Sequence, residues 1–157
     1  MFRNMKISFF LLSMLLIGFS SCYEEPDWLG DNSTTEGKNF PVIAGFDLET
    51  EGETFAEGST IQLDLDFWSL DPIASIRLYE HIDGGDAVEV ASFGYTPNFQ
   101  DDSQTDELIM TYTIPTLPAD TVQITLDAEV INENGLTRNT KDSGTANRPS
   151  ITITAVK

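Results

Sequence analysis

Strict alternation of apolar and polar residues is the strongest constraint on this chain. Ile61, Leu63, Leu65 and Phe67 alternate with Gln62, Asp64 and Asp66. Val122, Ile124, Leu126, Ala128 and Val130 alternate with Gln123, Thr125, Asp127 and Glu129. In an extended strand a period of two puts one set on each face, so the apolar set can be buried together. On a helix the same spacing would scatter the apolar residues around the axis. These segments therefore read as strands with one buried face.

The rest of the chain after residue 39 repeats the pattern more weakly. Phe40 to Leu48 reads as a first strand, with Pro41 placing it at an edge or a strand start. Asp71-Pro72 turns the chain into a strand where Ile76 and Leu78 face inward and Ser75, Arg77, Tyr79 and His81 outward. Asp83-Gly84-Gly85-Asp86 is a hairpin signal, and Ala87 to Phe93 is its return strand. Gly94 to Thr105 has no apolar period and reads as a loop. Leu108, Met110, Tyr112 and Ile114 alternate again before Pro115 and Pro118. Asn132-Glu133-Asn134-Gly135 turns the long strand back into a weaker one, Leu136 to Lys141. Asp142 to Pro149 reads as a surface insertion, and Ile151, Ile153 and Ala155 form the last strand. About seven or eight short strands at this spacing predict an all-β fold, a single antiparallel β-sandwich over residues 39–157.

The N-terminus has a different character. Arg3 and Lys6 flank an apolar run from Ile7 to Phe19, too short for a membrane span of about 20 residues. A basic flank and a short apolar stretch suit a signal peptide over residues 1–21. Cys22 follows, the only cysteine of the chain, so no internal disulfide can form. Residues 22–38 lack a period and are rich in Gly, Ser, Thr and acids; they read as a flexible tether. From Cys22 to Asn39 such a coil would span about 20–25 Å.

Charge narrows the partners. The chain holds 8 Lys and Arg against 26 Asp and Glu, a net charge of −18, and every acid lies beyond Cys22. Such a surface repels nucleic-acid phosphates. It also repels anionic lipid, so attachment to a membrane would have to be covalent.

Three resemblances follow from these residues. Leu15 to Cys22, Leu-Leu-Ile-Gly-Phe-Ser-Ser-Cys, resembles the lipobox of bacterial lipoproteins, with Phe19 where an aliphatic residue is usual. It implies acylation of Cys22 and cleavage before it. The acids of Tyr23-Glu24-Glu25-Pro26-Asp27 resemble the export tag of surface-exposed outer-membrane lipoproteins in certain Gram-negative bacteria. In the body, Glu57-Gly58-Ser59-Thr60-Ile61, Tyr112-Thr113-Ile114-Pro115, the long strand and its Asn-Gly turn resemble bacterial immunoglobulin-like domains. Such domains are similar to modules of starch-utilisation-type surface lipoproteins. That implies a non-catalytic binding or accessory role in glycan or nutrient uptake, beside an outer-membrane transporter. The alternative is a structural spacer or an adhesin-like protein-interaction module.

Chemistry is sparse. With one histidine, His81, and one cysteine, no zinc spacing and no nucleophilic triad motif can be written. Asp64 with Asp66, or Asp127 with Glu129, share a strand face, as glycosidase carboxylates could, but a solubilising face is the simpler account. No catalytic residue and no resident cofactor are expected. Asp83 and Asp86 in the hairpin, and Asp101, Asp102 and Asp106 in the following loop, carry the hard oxygen ligands that suit calcium. Trp68, with Arg77, Tyr79 and His81 on the next strand's polar face, forms the candidate ligand-binding set. An aromatic face could stack on a sugar ring. Trp68 and Tyr79 fall on strands of opposite sheets, so they need not make one platform. Mass spectrometry of the mature N-terminus should find acyl chains on Cys22; an unmodified cysteine there overturns the anchor.

Overall fold

The computed structural model describes residues 34–35, 37–142 and 150–157, all within the second of the chain's two units, Asp31–Lys157. The expected signal peptide, Cys22, the acids read as an export tag and most of the insertion before Ser150 lie outside the described residues. Among the described residues there is no helix.

The described residues form twelve strands in order. They are β1 (Thr34–Thr35), β2 (Lys38–Asn39), β3 (Val42–Leu48), β4 (Thr54–Ala56), β5 (Thr60–Trp68) and β6 (Ile73–Ile82). Then come β7 (Val88–Gly94), β8 (Phe99–Gln100), β9 (Thr105–Thr113), β10 (Thr121–Asn132), β11 (Thr137–Asn139) and β12 (Ile151–Val156). One sheet has four strands in the order β3-β5-β9-β8. The other has six, in the order β4-β12-β10-β6-β7, with β11 also on β10. The two form an immunoglobulin-like β-sandwich.

The alternation dictates the core. Ile61, Leu63, Leu65 and Phe67 of β5 are essentially sealed from solvent, as are Val122, Ile124, Leu126, Ala128 and Val130 of β10. The two rows belong to different sheets and to one cluster, with Ile76, Leu78, Met110 and Ile153 among its other members. Burying each of these side chains other than Ala128 stabilises the fold by ~1.5–3 kcal/mol relative to leaving it in water.

Four details differ from the sequence reading. First, the expected tether is partly ordered: β1 and β2 pair antiparallel, with Gly37 at φ +77°. Second, β4 was not expected, and it pairs parallel with β12, so the sandwich is not wholly antiparallel. Third, the Gly94–Thr105 loop contains β8, a stub that pairs only Phe99 with Asp106 and Gln100 with Thr105. Fourth, β11 and β12 lie on one edge of β10, at Glu129–Ile131 and Thr121–Leu126 respectively. They are one strand interrupted by the insertion, so the final strand keeps its pairing.

Polar contacts fix where the chain joins the sandwich. The Asn39 amide donates to Asp71 Oδ2 at 2.6 Å, and the Asn39 carbonyl accepts from Asn132 Nδ2 at 3.0 Å and Asn134 Nδ2 at 3.2 Å. Asn134 Nδ2 also reaches Asp71 Oδ2 at 2.6 Å. Donation by the Asn39 amide is the main reason the Asp71 carboxyl sits below its usual range. Gly135, at φ +86°, makes the tight turn that presents Asn134. Arg138 lies over the Phe40 ring, 5.2 Å from its centroid.

At the other end, one hydrogen bond ties the sheets together. Tyr112 of β9 is buried, and its hydroxyl donates to Glu80 Oε2 of β6 at 2.5 Å. Burial and this carboxylate push the Tyr112 pKa strongly up, so it stays a donor throughout the physiological range. Tyr112→Phe strips a half-buried carboxylate of its donor and should cost ~1.5–3 kcal/mol in urea unfolding at neutral pH. A loss below ~0.5 kcal/mol would mean that the bond contributes little.

Candidate functional site

The polar face of the six-stranded sheet carries Arg77, Tyr79, His81, Asp127 and Glu129. Antiparallel register sets His81 beside Thr125, Tyr79 beside Asp127 and Arg77 beside Glu129. Because alternate residues share a face, Arg77, Tyr79 and His81 line up against Asp127 and Glu129. These side chains pair on diagonals. His81 Nε2 meets Asp127 Oδ2 at 2.7 Å, and the Tyr79 hydroxyl donates to Glu129 Oε2 at 2.9 Å. Arg77 reaches Glu89 of β7 at 3.6 Å. Burial raises the Tyr79 pKa, while hydrogen bonding to Tyr79 and the charge of Glu89 raise that of Arg77.

Asp127 points outward yet is only 2% exposed. Thr140 and Ser150 bind it: the Ser150 hydroxyl donates to Asp127 Oδ1, and Thr140 Oγ1 lies 3.5 Å from the same oxygen. A serine, a histidine and an aspartate therefore meet here in an arrangement unlike a nucleophilic triad. Both partners bind the carboxylate, and His81 Nδ1 is engaged by the Gly85 carbonyl at 3.1 Å. Ser150 hydrogen-bonds to Asp127 and His81 to the other oxygen of the same carboxylate, so the histidine is not placed as the base of the serine. The contact joins residues 23 apart, which no local motif announces.

Beside Tyr79 a shallow groove of about 280 Å³ opens on this face between β6 and β11 with the Lys141 and Asp142 that follow it. Tyr79, Glu129, Thr137, Asn139, Lys141 and Asp142 line it. It offers hydroxyl, amide, carboxylate and ammonium groups around part of one aromatic ring. Only Tyr79 of the expected binding set belongs to the lining; Arg77 and His81 sit on the same strand to either side. Trp68 does not join them. It ends β5 in the four-stranded sheet, opposite Val42, and is 40% exposed.

The carboxylates offered for calcium are not brought together. Asp83 and Asp86 lie in the β6–β7 turn at the Tyr112–Glu80 end, whereas Asp101, Asp102 and Asp106 lie at the end where the chain enters. Strand direction separates them: β6 runs the length of the sheet between the two. Asp83 Oδ1 accepts from the Gln123 amide at 2.9 Å, and Asp106 accepts from the Tyr95 hydroxyl at 2.8 Å and the Asn98 amide at 2.9 Å. Among the described residues no three His, Cys, Asp or Glu side chains converge on a point that could hold a metal ion.

The opposite sheet face is different. Asp47, Glu49, Asp64, Asp66 and Glu107 crowd it, and burial, then the charges of Asp66 and Glu107, raise the Asp64 pKa to about 6. Asp64 Oδ1 is out of solvent with no hydrogen-bond partner.

No family model and no curated protein matches the chain. Solved structures with similar chain paths include Spo0M, a sporulation control protein from Bacillus subtilis. It has 15% identity and a TM-score of 0.46, over 74% of this chain and 50% of that one. The chain thus spans half the length of Spo0M. The CARDB domain of the PF1109 protein from Pyrococcus furiosus, in complex with di-metal ions, has 13% identity and a TM-score of 0.38, over 74% of this chain and 93% of that domain.

The raised Asp64 pKa has a sign that can be tested. Between pH 3.8 and about 6 the folded protein holds a proton that the unfolded chain has released. That contribution to stability is complete below 3.8 and lost as pH rises through about 6. Asp64→Asn should therefore raise stability at pH 7.5, by ~1 kcal/mol after solvent screening, and give no gain at pH 3.5. Thermal melts at the two pH values check this; equal gains at both would refute it.

Proposed function

We propose that the chain is a non-catalytic, lipid-anchored cell-surface protein of a Gram-negative bacterium, serving as a binding or accessory module in glycan or nutrient uptake. The groove beside Tyr79 is the observation that carries the binding role. A sugar presents hydroxyls in several directions and an apolar ring face. The groove supplies acceptors, donors and one aromatic face within about 280 Å³, the scale of a small ligand site.

The non-catalytic part rests on how the reactive groups are used. The Asp127 carboxylate is held by His81 and Ser150, and Glu129 accepts from Tyr79. Neither carboxylate is left to act on a substrate as free acid or base. The anchor rests on Cys22 and the apolar run before it, and on a charge of −18 that would otherwise keep the protein off anionic lipid.

A glycan array probed with the full chain should retain a carbohydrate. Tyr79→Ala should weaken that binding about tenfold, the scale of one lost ring stack. Trp68→Ala, in the other sheet, should leave it unchanged. An array that retains nothing overturns the glycan reading and leaves the spacer or protein-interaction alternative.

A further inference from the structure

Among the described residues, one flank of the sandwich lacks a strand. In the four-stranded sheet β8 covers the outer edge of β9 only at Thr105 and Asp106. Beyond Glu107, whose amide still reaches the Asn98 carbonyl, the edge from Leu108 to Thr113 has no strand partner among the described residues. Across the sandwich, β7 ends the six-stranded sheet and overhangs this gap. Ala91 lies opposite Leu78 and Phe93 opposite Ile76, so the inner face of β7 looks into the gap rather than onto a fourth full strand. Val88 and Val90 are consequently 54% and 38% exposed.

What remains is a groove of about 300 Å³ between the two edges. Val90 and Ala91 form its roof, and Thr111 and Thr113 lie along the open edge of β9. Glu80 and Tyr112 close its inner wall. Glu80 accepts from Tyr112, and no cation pairs with it among the described residues.

We propose that this gap receives an extended segment of a partner protein, which adds to the edge of β9 in line with β8. Main-chain hydrogen bonds to Leu108–Thr113 would supply affinity, as in other cases of strand addition. The chemistry of the segment follows from its two faces. Inward side chains meet Val90, Ala91 and the Tyr112 ring, so they are apolar. Outward side chains lie beside Ile109, Thr111 and Thr113, with Asp64 one strand further in and Glu107 and Asp66 at the β8 end, so the charges nearest them are acidic and the outward positions toward Glu107 are basic. Cross-strand pairing beside Glu107 favours Lys or Arg at the outward position next to it.

This chain does not supply such a segment. Its 8 basic residues are scattered, and no two of them stand two apart. Residues 22–33 contain Glu24, Glu25, Asp27 and Asp31 and no basic residue. A second copy, of the same charge, fits no better. The inference does not depend on the glycan groove, which lies on the outer face of the other sheet.

The test uses the full chain and two labelled heptapeptides, one alternating valine with lysine and one alternating valine with glutamate, followed by fluorescence anisotropy at about 0.15 M salt. The lysine peptide should bind and the glutamate peptide should not. Val90→Lys should weaken binding at least tenfold. Asp86→Asn, the same change of charge outside the groove, should change it less than twofold. In the wild-type protein, hydrogen exchange of the Leu108–Thr113 amides should slow when the lysine peptide is added. This readout needs no variant. No binding, equal loss with both variants, or binding without protection of those amides would overturn the proposal. Self-association abolished by Val90→Lys would instead make the occupant a second copy and overturn it too.

Discussion

Everything in this fold depends on two apolar rows meeting between two sheets. Ile61, Leu63, Leu65 and Phe67 from β5 and Val122, Ile124, Leu126, Ala128 and Val130 from β10 are sealed together. Side chains alternate strictly along a strand, so a slip of one residue would drive Asp64 and Asp66, or Asp127 and Glu129, into that core. Desolvating those carboxylates unpaired would cost several kcal/mol each. Hydrophobic burial and charge exclusion therefore select the same register.

That register also forces the acids outward, and the two outer faces handle them differently. On the six-stranded sheet each carboxylate in the central rows has a partner: His81 for Asp127, Tyr79 for Glu129, Arg77 for Glu89. On the four-stranded sheet like charges face one another, and Asp64 bears the repulsion. One face is therefore organised around hydrogen-bonded pairs and a small groove. The other holds a concentrated negative field, weakened by salt and suited to a basic surface.

The strands between these faces were legible to different degrees. The strands at Thr60–Trp68, Ile73–Ile82, Thr105–Thr113 and Thr121–Asn132 are long enough for their alternation to identify them. β4 and β8 are too short to show a period. β4 exists because it lies parallel to β12, roughly 100 residues later in the chain. Similarly, β11 and β12 read as separate strands until β10 aligns them on one edge. Of the expected binding set, Tyr79 reached the groove because it lies on a long strand with a defined polar face. Trp68 did not, because its strand belongs to the four-stranded sheet and its side chain, in phase with the alternation, lies on that sheet's outer face.

By itself the sequence determined that the body is a β-sandwich and that its core is made of alternating residues. It also determined that the surface is acidic and that His81 has no local catalytic motif. These follow from period, composition and count, which are local or global properties of a chain. Only tertiary structure decided that Ser150 and His81 share one Asp127 carboxylate and that the two acidic loops lie at opposite ends. It alone decided that Glu80 faces Tyr112 and that the edge of β9 is left open beneath β7. Each of these depends on which distant strands become neighbours, and a period of two specifies a face but not a neighbour.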